Sequence, residues 1–213
     1  MFHWTIHLKG GYRNYDHAAV IDGHKLYSFG GYYNYLNNED QIVVHIFNTL
    51  CLRWMKLSPV TNGRGQRPTE VPSGRWGHTA VLVEEIAYIW GGWGGYPYSN
   101  VLYAFDVDTH SWFKPNISGT IPVARSYHSA CVLEKVMYVY GGRTQLTAFT
   151  NDMHKLDTST MVWSSINTKG TPPPPSVCHS ATIIGTKMFV FGGYGPRESS
   201  TTSQCLTQRP TAG

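Results

Sequence analysis

The feature that most constrains this 213-residue chain is an internal repeat. Four histidines each stand 13 residues before the first glycine of a Gly-Gly pair, and three of these pairs are followed by a Trp after 24, 21 and 22 residues. Successive histidines are 61, 50 and 51 residues apart. A fixed period of about 50 residues indicates a stack of similar supersecondary units. The repeat residues are His17, His78, His128 and His179; Gly30, Gly31, Gly91, Gly92, Gly141, Gly142, Gly192 and Gly193; and Trp54, Trp112 and Trp163.

Composition and local pattern favour β-structure in each unit. The chain has 22 Gly, 12 Pro and 14 Tyr but only 14% charged residues, a mixture typical of short strands joined by turns. The segment before each Gly-Gly pair is apolar on both faces, as expected for a strand packed between neighbouring sheets. The sequence therefore predicts an all-β fold: an incomplete β-propeller of about three and a half four-stranded blades plus an N-terminal closing strand.

The repeat also predicts where the blades lie and where the pattern stops. The predicted propeller covers residues 1–194, with a closing strand in 1–10, blades at about 12–57, 75–115 and 125–167, and a half-blade at 176–194. Residues 195–213 are polar and aperiodic, which predicts a disordered tail outside the repeat. Because a propeller needs about four to eight blades to protect its sheet edges, we expect the chain to be a truncated product.

Several classes of function are disfavoured by composition and motifs. No apolar run approaches the roughly 20 residues of a membrane span, and no secretory signal is evident. The four cysteines form no C-x-x-C pair, which suggests unpaired thiols in a reducing compartment. A net charge of +4 without a basic run argues weakly against nucleic acid. Without a zinc motif, phosphate loop or nucleophile elbow, we expect no catalysis, cofactor or membrane partner.

The repeated histidines admit two interpretations. Four histidines at equivalent positions could form a metal ring on the propeller axis. However, one histidine per blade would place them far apart around a channel, well beyond the ~2 Å ligand distances of a metal site. A structural role is therefore favoured, in which each histidine hydrogen-bonds backbone at a blade-to-blade corner. The repeat glycines and tryptophans are likewise assigned to structure.

Function in a propeller belongs to loops at one end of the channel, and two sets of residues are predicted to converge there. One set follows each Gly-Gly pair, and the other lies three residues before each repeat histidine. Arg clamps carboxylates bidentately, and Tyr and Trp supply contact area for an extended peptide. The alternative is that Arg75 and Arg125 pair with neighbouring carboxylates. The predicted peptide-binding residues are Tyr32, Trp93, Arg143 and Tyr194 from the first set, Asn14, Arg75, Arg125 and Ser176 from the second, and Tyr127, with Trp76 as a further wall residue.

These residues carry a resemblance to a known family. The pattern His-Ser/Thr-Ala, then Tyr-x-x-Gly-Gly, then Asp-x-x-Thr-x-x-Trp resembles kelch repeats over residues 1–194. Segments such as 100–107, 128–133 and 154–161 extend the similarity beyond the generic repeat. The resemblance implies a six-bladed propeller that is not an enzyme.

The resemblance also implies a function. Related kelch proteins serve as substrate receptors of a cullin-2 RING ubiquitin ligase, docked through elongin B and elongin C, and capture client proteins whose chains end in glycine. The alternatives are a chromatin-associated kelch protein acting in meiosis, and a general interaction scaffold. Either of the first two predicts a protein of the cytoplasm and nucleus. The later blades and adaptor-binding segment of the family have no counterpart in the sequence.

Overall fold

The computed structural model describes residues 14–32, 41–63, 68–95, 97–144 and 148–196, and the backbone of 203–207. Every regular element in these ranges is a β-strand, and the strands form four mainly antiparallel sheets, here called blades one to four. The prediction of an all-β incomplete propeller is confirmed. The predicted closing strand at 1–10 lies outside the described residues. The part of the chain that is described contains no helix long and apolar enough to cross a membrane.

In each complete blade the strands pair in chain order, from the innermost to the outermost. A two-residue turn joins the first pair, such as the one at Gly23 in blade one, where φ is +52°. The strands are β1 (Ala18–Asp22), β2 (Lys25–Phe29), β3 (Val44–Asn48) and β4 (Arg53–Lys56) in blade one; β5 (Trp76–Val83), β6 (Ile86–Trp93), β7 (Leu102–Asp106) and β8 (Ser111–Phe113) in blade two; β9 (Ser118–Gly119) in the connector; and β10 (Ser129–Leu133), β11 (Val136–Arg143), β12 (Phe149–Asp157) and β13 (Val162–Ile166) in blade three. Strand β9 adds to the outer edge of blade three, parallel to β13.

Blade four corrects one prediction. It contains β14 (Ser180–Ile184), β15 (Lys187–Phe191) and β16 (Ser203–Thr207). Strand β16 pairs antiparallel with β15 from Lys187 opposite Thr207 to Phe191 opposite Ser203. The disordered tail predicted at 195–213 is therefore wrong for residues 203–207. The reason is that β15 presents a free edge of N–H and C=O groups, and backbone pairing to such an edge tolerates a polar sequence.

The core consists of three apolar layers, one between each pair of neighbouring blades. The second strands of blades two and three each contribute to the layers on both of their sides, because residues alternate between the two faces of a strand. In blade two, for example, Ile89 packs toward blade one and Trp90 toward blade three, and both are fully buried. The Trp90 ring lies 5.4 Å from the Trp163 ring of the next blade. Stacking of the repeats therefore buries apolar side chains that a single sheet would leave exposed to water.

Candidate functional site

The Gly-Gly pairs form the joints between blades. In each joint the N–H of the second glycine donates to a carbonyl of the following blade. The bonds are Gly31 to Arg75 (2.9 Å), Gly92 to Arg125 (2.8 Å) and Gly142 to Ser176 (3.0 Å). The accepting residues are three of the four that the sequence placed in the binding surface, three positions before each histidine.

Gly91 shows why these joints require glycine. Its φ is +74°, and a Cβ there would stand 2.5 Å from Cε1 of His128 and 2.8 Å from the Arg125 carbonyl oxygen. Such distances are not tolerated, so the histidine of the next blade can occupy this space only because Gly91 has no side chain. The predicted structural role of the glycines agrees with this geometry.

The repeat histidines bridge blades through hydroxyl groups. Nε2 of His128 lies 2.8 Å from Oγ1 of Thr79, and Nε2 of His179 lies 2.9 Å from Oγ of Ser129. Each partner directly follows the histidine of the preceding blade. The expected location at blade corners is therefore observed. A hydroxyl replaces the predicted backbone partner at His128, whereas His179 also meets the backbone of Tyr140, as predicted. A hydroxyl at this position satisfies the ring nitrogen inside the joint, where water is excluded.

Burial keeps these histidines neutral. It lowers the pKa of His78 to about 3, with a further contribution from the positive charge of Arg75. Burial also lowers the pKa of His128 well below its ordinary value, and that of His179. No group of three or more His, Cys, Asp or Glu side chains is arranged to hold a metal ion in the described part of the chain.

A further chain of backbone hydrogen bonds runs from blade to blade at the residue before each histidine. Gly77 N–H donates to the Asp16 carbonyl (2.9 Å), Tyr127 N–H to Gly77 (2.7 Å) and Cys178 N–H to Tyr127 (3.1 Å). All four residues have φ between 56° and 62°. This left-handed conformation is unusual for a non-glycine residue. Sequence reasoning missed this feature, although position relative to the histidine was a usable signal.

Tyr127 uses this arrangement to reach across blade two. Its ring passes over Gly77, where a Cβ would lie 3.1 Å from Cε1 of the tyrosine. Its hydroxyl donates to Oδ2 of Asp16 in blade one, at 3.4 Å. Burial, together with the Asp16 carboxylate, raises the pKa of Tyr127 to about 12. Tyr127 therefore stays protonated, and its half-buried ring lies at the end of the blades where the predicted surface was expected.

The four residues that follow the Gly-Gly pairs lie on one rim. Each pairs antiparallel with the residue just after the joint carbonyl of its own blade. The pairs are Tyr15 with Tyr32, Trp76 with Trp93, Ser126 with Arg143, and Val177 with Tyr194. The first predicted set therefore occupies equivalent positions, as the repeat required.

Blades one and two carry a continuous row of aromatic rings on this rim. The ring centroids of Tyr15 and Tyr32 are 5.0 Å apart, those of Tyr32 and Trp76 5.0 Å, and those of Trp76 and Trp93 4.7 Å. These four residues are called the aromatic row. Tyr15 is 57% exposed and the other three are half-buried. Sequence reasoning missed Tyr15, which occupies the same repeat position as Trp76.

On blades three and four the rim consists of an arginine, Arg143, beside two aromatic side chains. The guanidinium of Arg143 lies 5.9 Å from the ring centre of Phe149, which is itself 6.1 Å from the ring of Tyr194. Arg143 and Phe149 are half-buried, and Tyr194 is 47% exposed. Phe149 was also missed, because β12 begins earlier than the corresponding strands of the other blades.

Arg125 corrects the predicted binding set. It is fully buried, and its guanidinium holds Asp152 through two contacts, Nη1 to Oδ1 and Nη2 to Oδ2 at 2.9 Å. It also donates to the carbonyls of Val123 and Gly141. Burial alone would raise the pKa of Asp152, but hydrogen bonds from His154, Arg125 and Thr150 lower it instead. The alternative of pairing with a neighbouring carboxylate is therefore observed at Arg125, which has no surface to offer a ligand.

The equivalent residues of the other blades are turned inward in the same way. Asn14 Nδ2 and Arg75 Nη1 donate to the carbonyl of the first glycine in their own blades, at 3.0 and 3.1 Å, as Arg125 does to Gly141. Ser176 is 7% exposed, with its hydroxyl 3.4 Å from Nδ1 of His179. The second predicted set therefore supports the joints and does not form the rim.

Arg75 still reaches a cleft. It lies beside an open cavity of about 260 Å³ whose lining includes Ser73, Gly94, Tyr98, Asn100 and Tyr103. Its guanidinium stacks 5.0 Å from the centre of the Tyr103 ring. Because Gly94 directly follows Trp93, this cleft adjoins the end of the aromatic row.

Comparisons with known proteins agree with the repeat. A family described as the KLHDC2/KLHL20/DRC7 Kelch-repeats domain matches residues 77–208, and the Kelch motif matches residues 13–61. The first match extends past residue 194, where the repeat pattern was judged to end, and includes β16.

Named relatives extend the comparison. Kelch domain-containing protein 3 of Homo sapiens is 52% identical over 96% of this chain, and that of Mus musculus is 51% identical over the same share. Kelch domain-containing protein 10 of Homo sapiens is 31% identical over 83% of the chain. The matched regions cover 56% of the first two proteins and 40% of the third. The chain therefore spans about half the length of its more similar relatives.

Proposed function

The chain belongs to the kelch-repeat family, whose domains are protein-interaction modules, and we propose that its rim binds the C-terminal peptide of a client protein. The observation that carries this proposal is the aromatic row, together with Arg143 on the same rim. We propose further that this recognition delivers the client protein to a cullin-2 RING ubiquitin ligase through elongin B and elongin C.

The aromatic row suits an extended peptide. Four rings at centroid separations of 4.7 to 5.0 Å hold one another in place, so little conformational entropy is lost when a ligand covers them. Half-buried Trp and Tyr side chains are the residue types that contribute most to protein-recognition surfaces. Because the aromatic row is continuous across two blades, it favours an elongated ligand over a compact one.

One guanidinium group on the rim is placed to receive the terminal carboxylate. Arg143 is half-buried on the rim. Arg75 borders the cleft next to Trp93 but is only 4% exposed and donates to the carbonyls of Ser73 and Gly91. A carboxylate accepts two parallel hydrogen bonds from one guanidinium, which adds orientation as well as energy. A glycine at the C-terminus has no side chain to hinder approach into a cleft of about 260 Å³. With Arg125 and Arg75 both turned into the joints, Arg143 carries the charge recognition.

Peptide titration tests the recognition step. A labelled peptide ending in glycine should bind the chain, and its C-terminal amide should bind at least about tenfold more weakly, a loss of about 1.4 kcal/mol. Trp93→Ala and Arg143→Ala should each weaken the free-acid peptide by a similar factor. Phe113→Ala and Arg53→Ala, which alter exposed residues on outer strands, serve as controls. Equal affinity for acid and amide would exclude carboxylate recognition.

Copurification tests the ligase step separately. Elongin and cullin subunits recovered with the protein support the ubiquitin pathway, whereas histones or recombination factors support the chromatin alternative. Salt distinguishes the two further, because binding to nucleic acid weakens steeply with salt through counterion release. A complex with chromatin that is lost in the Trp93→Ala variant would assign the rim to chromatin and contradict its proposed use.

A further inference from the structure

We propose that Tyr127 is a positioning residue for the aromatic row. Its hydroxyl binds Trp76 on one side and Asp16 on the other, and these two contacts fix the Trp76 ring within the row. The inference rests on the proposed function of the rim, because the position of this ring affects recognition only where a ligand covers it. Tyr127 therefore acts on the ligand through Trp76 and not by touching the ligand itself.

Trp76 is the ring at which the two halves of the aromatic row meet. Its centroid lies 5.0 Å from that of Tyr32 and 4.7 Å from that of Trp93, and each pair has an interplanar angle of 69°. The first contact crosses from blade two to blade one, whereas the second lies within blade two. Edge-to-face ring pairs depend on the angle between the rings. A rotation of Trp76 would therefore disturb both halves of the row at once.

The Tyr127 hydroxyl connects three blades through side chains. It donates to Oδ2 of Asp16 in blade one over a long distance of 3.4 Å, and the Trp76 side chain of blade two hydrogen-bonds the same hydroxyl. An indole N–H only donates, whereas a phenol oxygen both accepts and donates. The direction is therefore fixed: Trp76 donates to Tyr127, and Tyr127 donates to Asp16. Burial, together with the Asp16 carboxylate, raises the pKa of Tyr127 to about 12, so the phenol keeps the proton that it donates.

The backbone places Tyr127 for this contact. Its N–H donates to the Gly77 carbonyl (2.7 Å), and the Gly77 N–H donates to the Asp16 carbonyl (2.9 Å), which aligns the three residues. The Tyr127 ring lies over Gly77, where a Cβ would stand 3.1 Å from Cε1 of the ring. Gly77 thus leaves the space through which Tyr127 reaches blade one.

Tyr127 also holds an unusual backbone conformation. Its φ of +56° lies in the left-handed region, which a bulky aromatic residue rarely adopts. Such conformations persist where the surrounding structure holds them, and they cluster at functional sites. The equivalent residues Asp16, Gly77 and Cys178 have side chains too short to span a blade. The strained position therefore carries a long side chain at the place from which it can reach Trp76.

A double-mutant cycle on the 213-residue chain tests the positioning role with the labelled free-acid peptide ending in glycine. Tyr127→Phe keeps the ring over Gly77 and removes the hydroxyl. It should weaken the peptide about fivefold, with the melting temperature changed by less than about 3 °C. Trp76→Phe removes the indole donor and should also weaken the peptide. Adding Tyr127→Phe to Trp76→Phe should then weaken it by less than about twofold more, because the two residues act as one unit.

Tyr88→Phe serves as the matched control, since it removes a hydroxyl near Glu84 at the opposite end of blade two. It should leave the affinity for the peptide unchanged. Losses that multiply in the double variant would assign direct ligand contact to Tyr127 and overturn the proposal. An unchanged affinity in Tyr127→Phe would overturn it as well.

Indole N–H signals in NMR spectra test the position of Trp76 without a ligand. The chain has seven tryptophans, and the Trp76 signal is the one that is missing from the spectrum of Trp76→Phe. Tyr127→Phe should move this proton signal upfield because its acceptor is lost, whereas Tyr88→Phe should not. A signal that stays in place would overturn the proposal. If the signal moves but the wild-type chain binds no such peptide, the proposed function of the rim fails and the position of Trp76 stands.

Discussion

At the residue scale, the arginines show that chemical type alone did not decide role. Arg125 contacts a carboxylate, that of Asp152, and Arg143 contacts an aromatic ring, that of Phe149. However, Arg125 is fully buried on Asp152, while Arg143 is half-buried beside Phe149. The difference arises because the side chain at the Arg125 position donates to the carbonyl of the first glycine of its own blade. Arg125 is therefore assigned to stability, and Arg143 to binding.

Replacing Arg125 should destabilise the fold before it changes any binding. Arg125→Ala removes the Arg125 donors from the carbonyls of Gly141 and Val123 and from the Asp152 carboxylate, which keeps only Thr150 and His154. Loss of one partner of a buried pair costs about 3 to 5 kcal/mol, and partial exposure of Asp152 places the expected value near about 3 kcal/mol. Urea denaturation measures this loss in the free energy of unfolding. Arg53→Ala, on an exposed strand, should change stability by less than about 0.5 kcal/mol; equal effects of the two variants would contradict the assignment.

At the element scale, the joint between two sheets is the unit that organises the molecule. It combines a backbone hydrogen bond from the second glycine with a histidine placed over the first glycine, and in the joints of His128 and His179 a hydroxyl also meets the histidine ring. None of these groups interacts with its joint partner inside a single isolated sheet. Each sheet therefore depends on contacts with its neighbours in the stack, as expected of repeat architectures.

Two glycines with positive φ angles, one in a joint and one in a simple turn, allow the cost of adding a side chain at the two places to be compared. Gly185→Ala, at φ +59° in a turn with nothing within 4 Å, should cost about 1 to 2 kcal/mol for the left-handed conformation. Gly91→Ala adds a methyl group that must displace His128 and the Arg125 carbonyl, and we expect a further 1 to 3 kcal/mol or so from overpacking. Thermal unfolding of the two variants gives the comparison. If Gly91→Ala lowers stability no more than Gly185→Ala does, the joint accommodates the added methyl group without overpacking.

At the scale of the whole molecule, the buried histidines make stability depend on pH. His78, His128 and His179 lie in three successive joints and have lowered pKa values. The unfolded chain binds protons at these residues near pH 6.5, whereas the folded chain does not until much lower pH, about 3 for His78. Between these limits the unfolded state holds more protons, so stability falls as the pH falls.

Acidification should therefore unfold the joints together. Between about pH 6.5 and pH 4, each buried histidine should remove up to about 1 kcal/mol of stability per pH unit. Above about pH 7 the histidine contribution should be flat, because the groups are neutral in both states. Urea midpoints measured from pH 8 to pH 4.5 give the slope. His128→Asn retains a side chain that can bond Thr79 but does not titrate, and it should make the slope shallower; an unchanged slope would exclude His128 as a contributor.

The periodicity of the chain determined the number and order of the sheets, the positions of the joints, and the rim location of Tyr32, Trp93, Arg143 and Tyr194. This was possible because strand alternation and the repeat spacing are local properties that each unit carries in its own sequence. Tyr15 and Phe149 could also have been found by aligning the units more closely.

What only the tertiary structure decided is which polar groups face inward. Arg125, Ser176 and Asn14 lie next to rim residues in sequence, yet their side chains turn into the joints, and Asp152 is brought to Arg125 from 27 residues away. Strand β16 forms because β15 presents a free edge, not because its own sequence is apolar. These outcomes depend on groups that meet across different strands and blades, so their physical cause is burial and hydrogen-bond satisfaction at contacts that exist only after the sheets have stacked.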